Sequence, residues 1–361
     1  MFLRDVPGVS AAELARTVDA IAEWQLPSGM IPWFPGGHAD PWNHVEAAMA
    51  LDLAGHRANA ERAYEWLARL QRPDGAWHQY YLADSVEQDK LDANVCAYVA
   101  TGVWHHHLLT KDDGFVDRMW PVVERAIDFV LELQRPRGEI IWARHADGTP
   151  WSFALLTGSS SICHSLRCAI ALAEHLGHER PDWELSAGRL ADVIAHEPEA
   201  FSPKHRWAMD WYYPVLTGVV GGADGRARLS DRYDTFVMEG KGVRCVSDEP
   251  WVTAAETCEL VIALEACGMR DRALEVFASV QHLRHQDGSY WTGWQFANQA
   301  PFPRERSSWT AAAVVLAADA LAGFSGGAGI FTDAADEAGQ PGDRTACGCD
   351  PAGRAQGAER A

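Results

Sequence analysis

The residues best suited to chemistry are acids set among large apolar neighbours. Asp210 lies inside Met209-Asp210-Trp211-Tyr212-Tyr213-Pro214. Desolvation penalises the charged form of a carboxyl group, so such an acid keeps its proton to higher pH and suits general-acid catalysis. Glu256 and Glu259 fall within Trp251-Val252-Thr253-Ala254-Ala255-Glu256-Thr257-Cys258-Glu259-Leu260, an apolar helical stretch. A carboxylate buried there must face a polar partner or a cavity. Asp89 and Asp92 stand before a helix that begins near Asn94, and Asp40 and Glu46 flank the start of another. Each of these acids either caps its helix or reaches a shared polar space, and both readings stay open. The expected catalytic set is Asp210, Glu256, Asp92 and Glu46.

The residues expected to grip a substrate are Trp42, His44, His164, Trp211, Tyr212, Trp251, Trp294, Arg306 and Trp309. The chain has 16 tryptophans, and a tryptophan offers a cavity a large flat apolar face with one polar N–H. Gly158-Ser159-Ser160-Ser161, with His164 and Arg167 beyond, either caps a helix or presents free N–H groups to an anion. Arg306 pairs with an acid or a phosphate. His105-His106-His107 reads as a helix surface, because consecutive helical residues point about 100° apart and do not share one metal ion. No metal site is expected.

These residues are positioned by a repeating unit. Gln25-Leu26-Pro27-Ser28-Gly29, Gln71-Arg72-Pro73-Asp74-Gly75 and Gln134-Arg135-Pro136-Arg137-Gly138 share Gln-x-Pro-x-Gly, each after an amphipathic helix and before a tryptophan. A later copy runs from Arg272-Ala273 through Gln281 to Asp287-Gly288-Ser289-Tyr290-Trp291. Proline stops the helix and glycine supplies the turn. Each unit is followed by a helix of small apolar residues, such as Glu46-Ala47-Ala48-Met49-Ala50-Leu51, apolar nearly all round and therefore buried. Six such pairs predict an all-α (α/α)6 toroid of six helical hairpins over residues 1–325, with the inner helices around a lumen. Residues 326–361, rich in Gly, Ala and Asp, predict a disordered tail containing Cys347 and Cys349.

The pattern Arg62-Ala63-x-x-Trp66-Leu67-x3-Gln71-x3-Gly75-x-Trp77 resembles the repeat signature of squalene and hopene cyclases, whose superfamily includes protein prenyltransferase β subunits. That resemblance implies the toroid fold and an isoprenoid or polyprenyl-linked substrate in an aromatic, acidic lumen that shelters carbocations by cation–π attraction. The Asp-x-Asp-Asp, Asp-x-Cys and Asp-Asp-x-x-Asp motifs of those enzymes are missing from the folded region. Magnesium is the ion a diphosphate substrate would call for; no residue set announces it. A second reading is a six-hairpin glycoside hydrolase, which needs two carboxylates across a sugar. A third is a non-catalytic toroid that binds a lipid or peptide.

The formal net charge of −19 argues against nucleic acid and anionic membrane surfaces. No run of 18 apolar residues predicts a spanning helix. The eight cysteines are scattered, and most sit in apolar stretches, which suits reduced thiols in the cytoplasm.

Overall fold

The structure is a computed structural model and describes residues 2–333. The helices are, in chain order, α1 (Ala11–Trp24), α2 (Pro41–Leu53), α3 (Arg57–Leu70), α4 (Ala93–Ala97), α5 (Val99–Thr110), α6 (Asp113–Leu131) and α7 (Leu156–Leu176). They continue as α8 (Pro181–His196), α9 (Met209–Leu216), α10 (Gly222–Asp231), α11 (Tyr233–Phe236), α12 (Ala254–Ala266), α13 (Arg270–Ser279) and α14 (Ser308–Ala322). Local signals set several starts. Ser10 and Glu13 form a reciprocal capping box on α1, and Asp40 caps α2 ahead of Pro41 in its first turn.

Apolar composition decides which helices lie inside. In α2, α12 and α14 almost every residue is buried, whereas α1, α3 and α6 bury one stripe. The buried helices form a closed ring: α2 packs on α5, α5 on α7, α7 on α9, α9 on α12, α12 on α14, and α14 on α2. Outside it, α3 lies on α2, α8 on α7, α10 on α9 and α13 on α12.

The repeated glutamine is the staple between neighbouring outer helices. Gln71 Nε2 donates to the carbonyls of Gly75 (2.9 Å) and of Val122 on α6 (2.8 Å). Gln25 does the same to Gly29 and to Asn59 on α3, and Gln134 to Gly138 and to Ser186 on α8. The return contact is an arginine from the next outer helix: Arg62 to Gln25, Arg125 to Gln71 and Arg189 to Gln134. Glycine is required in this turn. Gly75 has φ +85°, and a Cβ there would lie 2.1 Å from the Arg125 carbonyl oxygen. The late copy differs: Gln281 Nε2 donates back to the Phe277 carbonyl of α13 (3.2 Å), and the Thr17 hydroxyl reaches the Gly288 carbonyl (2.8 Å) to close the ring.

The fold is not strictly all-α. Short strands occupy the loops that lead into the inner helices: β1 (Tyr80–Leu82), β2 (Ser85–Gln88), β3 (Leu91–Asp92), β4 (Ala143–Arg144), β5 (Val237–Met238), β6 (Gly242–Arg244), β7 (Trp251–Thr253), β8 (Gly293–Gln295) and β9 (Ala300–Pro301). The last five make one antiparallel sheet in chain order. Trp251-Val252-Thr253, expected to open a helix, instead pairs with β6 and β8, and α12 starts at Ala254. Aromatic and β-branched residues fit a pleated surface better than a first helical turn.

Two further expectations change. His105, His106 and His107 are buried rather than a helix surface, because α5 is enclosed by α2, α6 and α7. His106 Nδ1 meets Asp52 Oδ2 at 2.8 Å. Of the expected tail, residues 334–361 with Cys347 and Cys349 lie outside the described residues. Its first part is packed: Ser325 N–H donates to Asp319 Oδ1 (3.0 Å), and Phe331 is buried against the ring.

Candidate active site in the ring lumen

Two acids face one cavity from two different helices of the ring. Glu46 comes from α2 and Glu259 from α12, helices separated by α14, and both line a cavity shared with Tyr98, Tyr213, Ser161 and His164. Tyr98 donates its hydroxyl to Glu46 Oε1 at 2.9 Å. Tyr213 donates to Glu259 Oε1 at 3.1 Å, and Tyr212 donates to Glu259 Oε2. Burial pushes Glu46 up to about 8, and the neighbouring Asp40 charge adds to the rise. Burial also pushes Glu259 well above the usual carboxylate range, reinforced by Glu46. Two carboxyl groups in such reach do not both ionise readily. Glu256, one turn before Glu259, is buried and raised by desolvation, and its carboxylate accepts from the Thr253 hydroxyl.

Buried polar atoms without a partner gather here. They are Glu46 Oε2, Ser161 Oγ and His164 Nδ1, all on residues that line the cavity. Buried polar atoms are ordinarily bonded, so this cluster suits a ligand that carries many hydroxyls. Half-buried aromatic rings stand at the starts of the inner helices or in the loops before them: Trp33, Tyr80, Trp42, Trp142, Trp151, Trp251, Trp294 and Trp309. Trp42 and Trp309 lie 5.8 Å apart, and Trp142 and Trp151 4.7 Å apart. Lys90 Nζ sits 3.8 Å over the Trp142 ring.

The expected site residues divide. Glu46 and His164 line the cavity, Tyr212 bonds its acid Glu259, Glu256 stands one turn before Glu259, Trp42 packs on Tyr98 and Trp309 on Trp42, and Trp251 and Trp294 lie on opposite faces of the sheet in β7 and β8. His44 does not reach it: its ring is buried and links hairpins, accepting from Ile31 N–H (3.1 Å) and meeting the Ala63 carbonyl (3.0 Å). Burial pushes His44 down to about 4, so it is neutral. Asp92 caps α4 through the N–H groups of Asn94 and Val95, with Lys90 Nζ at 3.7 Å. Asp210 accepts from the Thr157 hydroxyl (2.8 Å) and lines a separate outer groove of ≈ 670 Å³ with Trp211, Arg228 and His205. Burial raises its pKa there. Trp211 stacks on Phe236 (5.3 Å). Arg306 is held by Asp287, Ser289 and His285.

Glu259 was visible in the sequence as a second acid in the apolar helix, three residues and one turn past Glu256. Tyr98 and Phe331 carried no signal, because a tyrosine in an apolar run reads as core and Phe331 follows the last periodic helix. Among the described residues, one group has the spacing of a metal site: His107, Asp113 and His175, whose ligand atoms lie within 4.8 Å of one another, outside the lumen. Histidine nitrogens do not suit magnesium, which prefers oxygen ligands.

No family model matches the sequence. The chain is 54% identical over 327 residues to the MMP endo-(1,4)-3-O-methyl-alpha-D-mannosidase of Mycolicibacterium hassiacum, covering 90% of this chain and 91% of that protein. It is 31% identical over 162 residues to an uncharacterized glycosyl hydrolase of Methanocaldococcus jannaschii, a match spanning 43% of this chain and 24% of that protein. Among solved structures, a GH63 mannosylglycerate hydrolase from Thermus thermophilus superposes with TM-score 0.66 at 13% identity, covering 83% of this chain and 98% of the other. A glycosidase in complex with glucose gives 0.64 at 14% identity over 88% of this chain and 100% of the other. A D-mannose isomerase gives 0.65 at 12% identity over 85% and 95%. These likenesses show the toroid fold.

The relationship to prenyltransferases and terpenoid cyclases is overturned by the mannosidase match, and with it the isoprenoid substrate. The physical reason lies in the staple: Gln71, Gly75 and Arg125 join outer helices and touch nothing in the lumen, so they report the ring and not the reaction. By identity over nine-tenths of its length, the chain belongs to the family of the MMP endo-(1,4)-3-O-methyl-alpha-D-mannosidase.

Proposed function

We propose that this protein is a glycoside hydrolase that cleaves α-(1,4)-linked, 3-O-methylated mannosyl chains at internal bonds. The observation that carries the reading is the match to the mannosidase along nearly its whole length. The lumen agrees with it: two desolvated acids face one cavity, as glycoside hydrolysis needs. Glu46 is the proton donor, neutral up to about pH 8 and with one oxygen free of partners. Glu259, which accepts from two tyrosines, faces the same cavity as the second carboxyl group and acts as base or nucleophile. Glu256 holds the wall next to it, and the tryptophans at the mouth stack on sugar faces.

The ring is read as six hairpins, α1–α2, α3–α5, α6–α7, α8–α9, α10–α12 and α13–α14, with the strands as insertions at its mouth. Together they form one domain. The six cysteines among the described residues are buried and free, which suits a reducing compartment such as the cytoplasm.

The test is to incubate the protein with 3-O-methylated α-(1,4)-mannosides, unmethylated α-mannosides and prenyl diphosphates, and to follow products by mass spectrometry. Shortened methylmannosides support the reading; release of diphosphate with intact glycans overturns it. Proton NMR of the first product anomer separates a base from a nucleophile at Glu259.

A further inference from the structure

Three helix ends meet away from the lumen cavity. His107 stands in the last turn of α5, His175 in the last turn of α7 and Asp113 in the first turn of α6. The three helices pack on one another. At 1.5 Å per residue, His107 lies about 14 Å along α5 from Tyr98, and His175 about 16 Å along α7 from His164. The cluster is therefore remote from Glu46 and Glu259.

Its hydrogen bonding is incomplete. Asp113 Oδ1 meets His175 Nε2 at 2.8 Å and stands 3.8 Å from His107 Nδ1. The first distance is a hydrogen bond; the second is too long for one. His107 Nδ1 is thus a buried nitrogen without a partner among the described residues, on a side chain only 6% exposed. Buried polar atoms are ordinarily bonded, so this one calls for an explanation. A simple His175–Asp113 ion pair accounts for two of the three residues and leaves His107 out. The His107 ring is also fixed in place, stacked on Trp104 with centroids 5.3 Å apart and on its other side 4.2 Å from the ring of His175.

The spacing fits a metal ion. Zinc bonds histidine nitrogen and aspartate oxygen at about 2.0–2.2 Å, so the ligand atoms of a tetrahedral site lie about 3.4 Å apart. The observed 2.8 and 3.8 Å bracket that value, and the ligand atoms of all three residues fall within 4.8 Å of one another. Asp113 and His175 are exposed and can turn toward an ion, while the buried His107 supplies the fixed point. The ends of α5 and α7 bring the negative poles of two helix dipoles, which favour a cation. Lys111, in the turn between α5 and α6, opposes it, but this side chain is exposed and solvent screens its charge. Two imidazoles and one carboxylate suit zinc rather than magnesium or calcium, which take oxygen ligands.

We propose that His107, Asp113 and His175 bind one zinc-type divalent ion, with water as its fourth ligand, and that the ion clips the ends of α5 and α7 to the start of α6. Of the run His105-His106-His107, only His107 takes part, since His106 turns to Asp52. The site is separate from the reaction proposed above and acts on the stability of the ring.

The experiment strips the full chain with EDTA, then titrates it with zinc chloride by calorimetry, with magnesium chloride as the control. Metal content after dialysis and the visible spectrum of the cobalt(II) form are read alongside. Asp113→Asn and His175→Ala are compared with the unaltered protein, their folding checked by circular dichroism. The expected result is one zinc per chain, no displacement by magnesium, and a tetrahedral cobalt spectrum. Each variant should bind zinc at least about 100-fold more weakly, since loss of even an outer partner of a ligand costs 10- to 100-fold. With free zinc at about 100 times its Kd, the Tm of the unaltered protein should rise by about 4 °C. Should one variant fail to fold, the other carries the comparison. Absence of zinc binding, or equal zinc binding by the folded variants, overturns the proposal. An octahedral cobalt spectrum, or a Tm that zinc leaves unchanged, overturns it as well.

Discussion

Replacing Glu46 by glutamine separates its cost to the fold from its use in the reaction. Glutamine keeps the shape and the acceptor that Tyr98 bonds, but has no proton to transfer. Its folded pKa of about 8 stands above the value of 4.5 for an exposed glutamate. The folded chain therefore binds more protons than the unfolded chain between those values. The stability that goes with the neutral acid is fully present below pH 4.5 and is lost as pH rises through 8. At about 1.4 kcal/mol per pH unit, the loss is about 3 kcal/mol at pH 7 and about 5 kcal/mol above pH 8. Glu46→Gln removes that loss. For a domain near 330 residues, with an unfolding entropy of about 0.7 kcal/mol/K, 3 kcal/mol raises Tm by about 4 °C. Activity moves the other way, by about 10²- to 10⁴-fold, the usual worth of a positioned proton donor. The assay pairs kcat/KM on a methylmannoside with calorimetry at pH 4, 7 and 9. The variant should match the unaltered protein in Tm at pH 4 and exceed it at pH 9. A variant that keeps a tenth or more of the activity, or is less stable at pH 9, refutes the reasoning.

Other outcomes follow from the same geometry. The kcat/KM of the unaltered protein should fall above about pH 8 as Glu46 loses its proton, read from a pH–rate profile. Trp42→Ala or Trp309→Ala should raise KM about tenfold, the loss of one stacking face worth about 1.4 kcal/mol, with little change in kcat. Gly75→Ala, with φ +85° and a Cβ 2.1 Å from the Arg125 carbonyl oxygen, should lower stability by at least about 1–3 kcal/mol in denaturant melts while sparing kcat. Asp210→Asn should leave cleavage within about threefold, since Asp210 lies in the outer groove and a general acid would cost at least 10²-fold.

The ring was legible because its staple is local: Gln71, Pro73 and Gly75 sit within one turn, and Arg125 recurs at the matching place in the next copy. The lumen acids were legible in part, since Glu46, Glu256 and Glu259 stand in helices otherwise apolar all round. Which of them share a cavity was not, because that depends on α14 holding α2 and α12 apart. Asp210 looked the best acid for having bulky neighbours, yet it lines the outer groove, while Trp211 is buried against Phe236. The strands around Trp251 and Trp294 are only three residues long, too short for a period to show, and pair with each other across 40 to 44 residues of sequence. The reaction was misread for a different reason: the residues that carried the resemblance hold the outside of the ring, where no substrate goes.

The measurement closest to the central claim is kcat/KM on one 3-O-methylated α-(1,4)-mannoside for the unaltered protein, Glu46→Gln and Glu259→Gln, with folding checked by circular dichroism. Internal cleavage by the unaltered protein, with a loss of at least about 100-fold in each folded variant, is the predicted result. Cleavage that survives in both would contradict the placement of the reaction in the ring lumen.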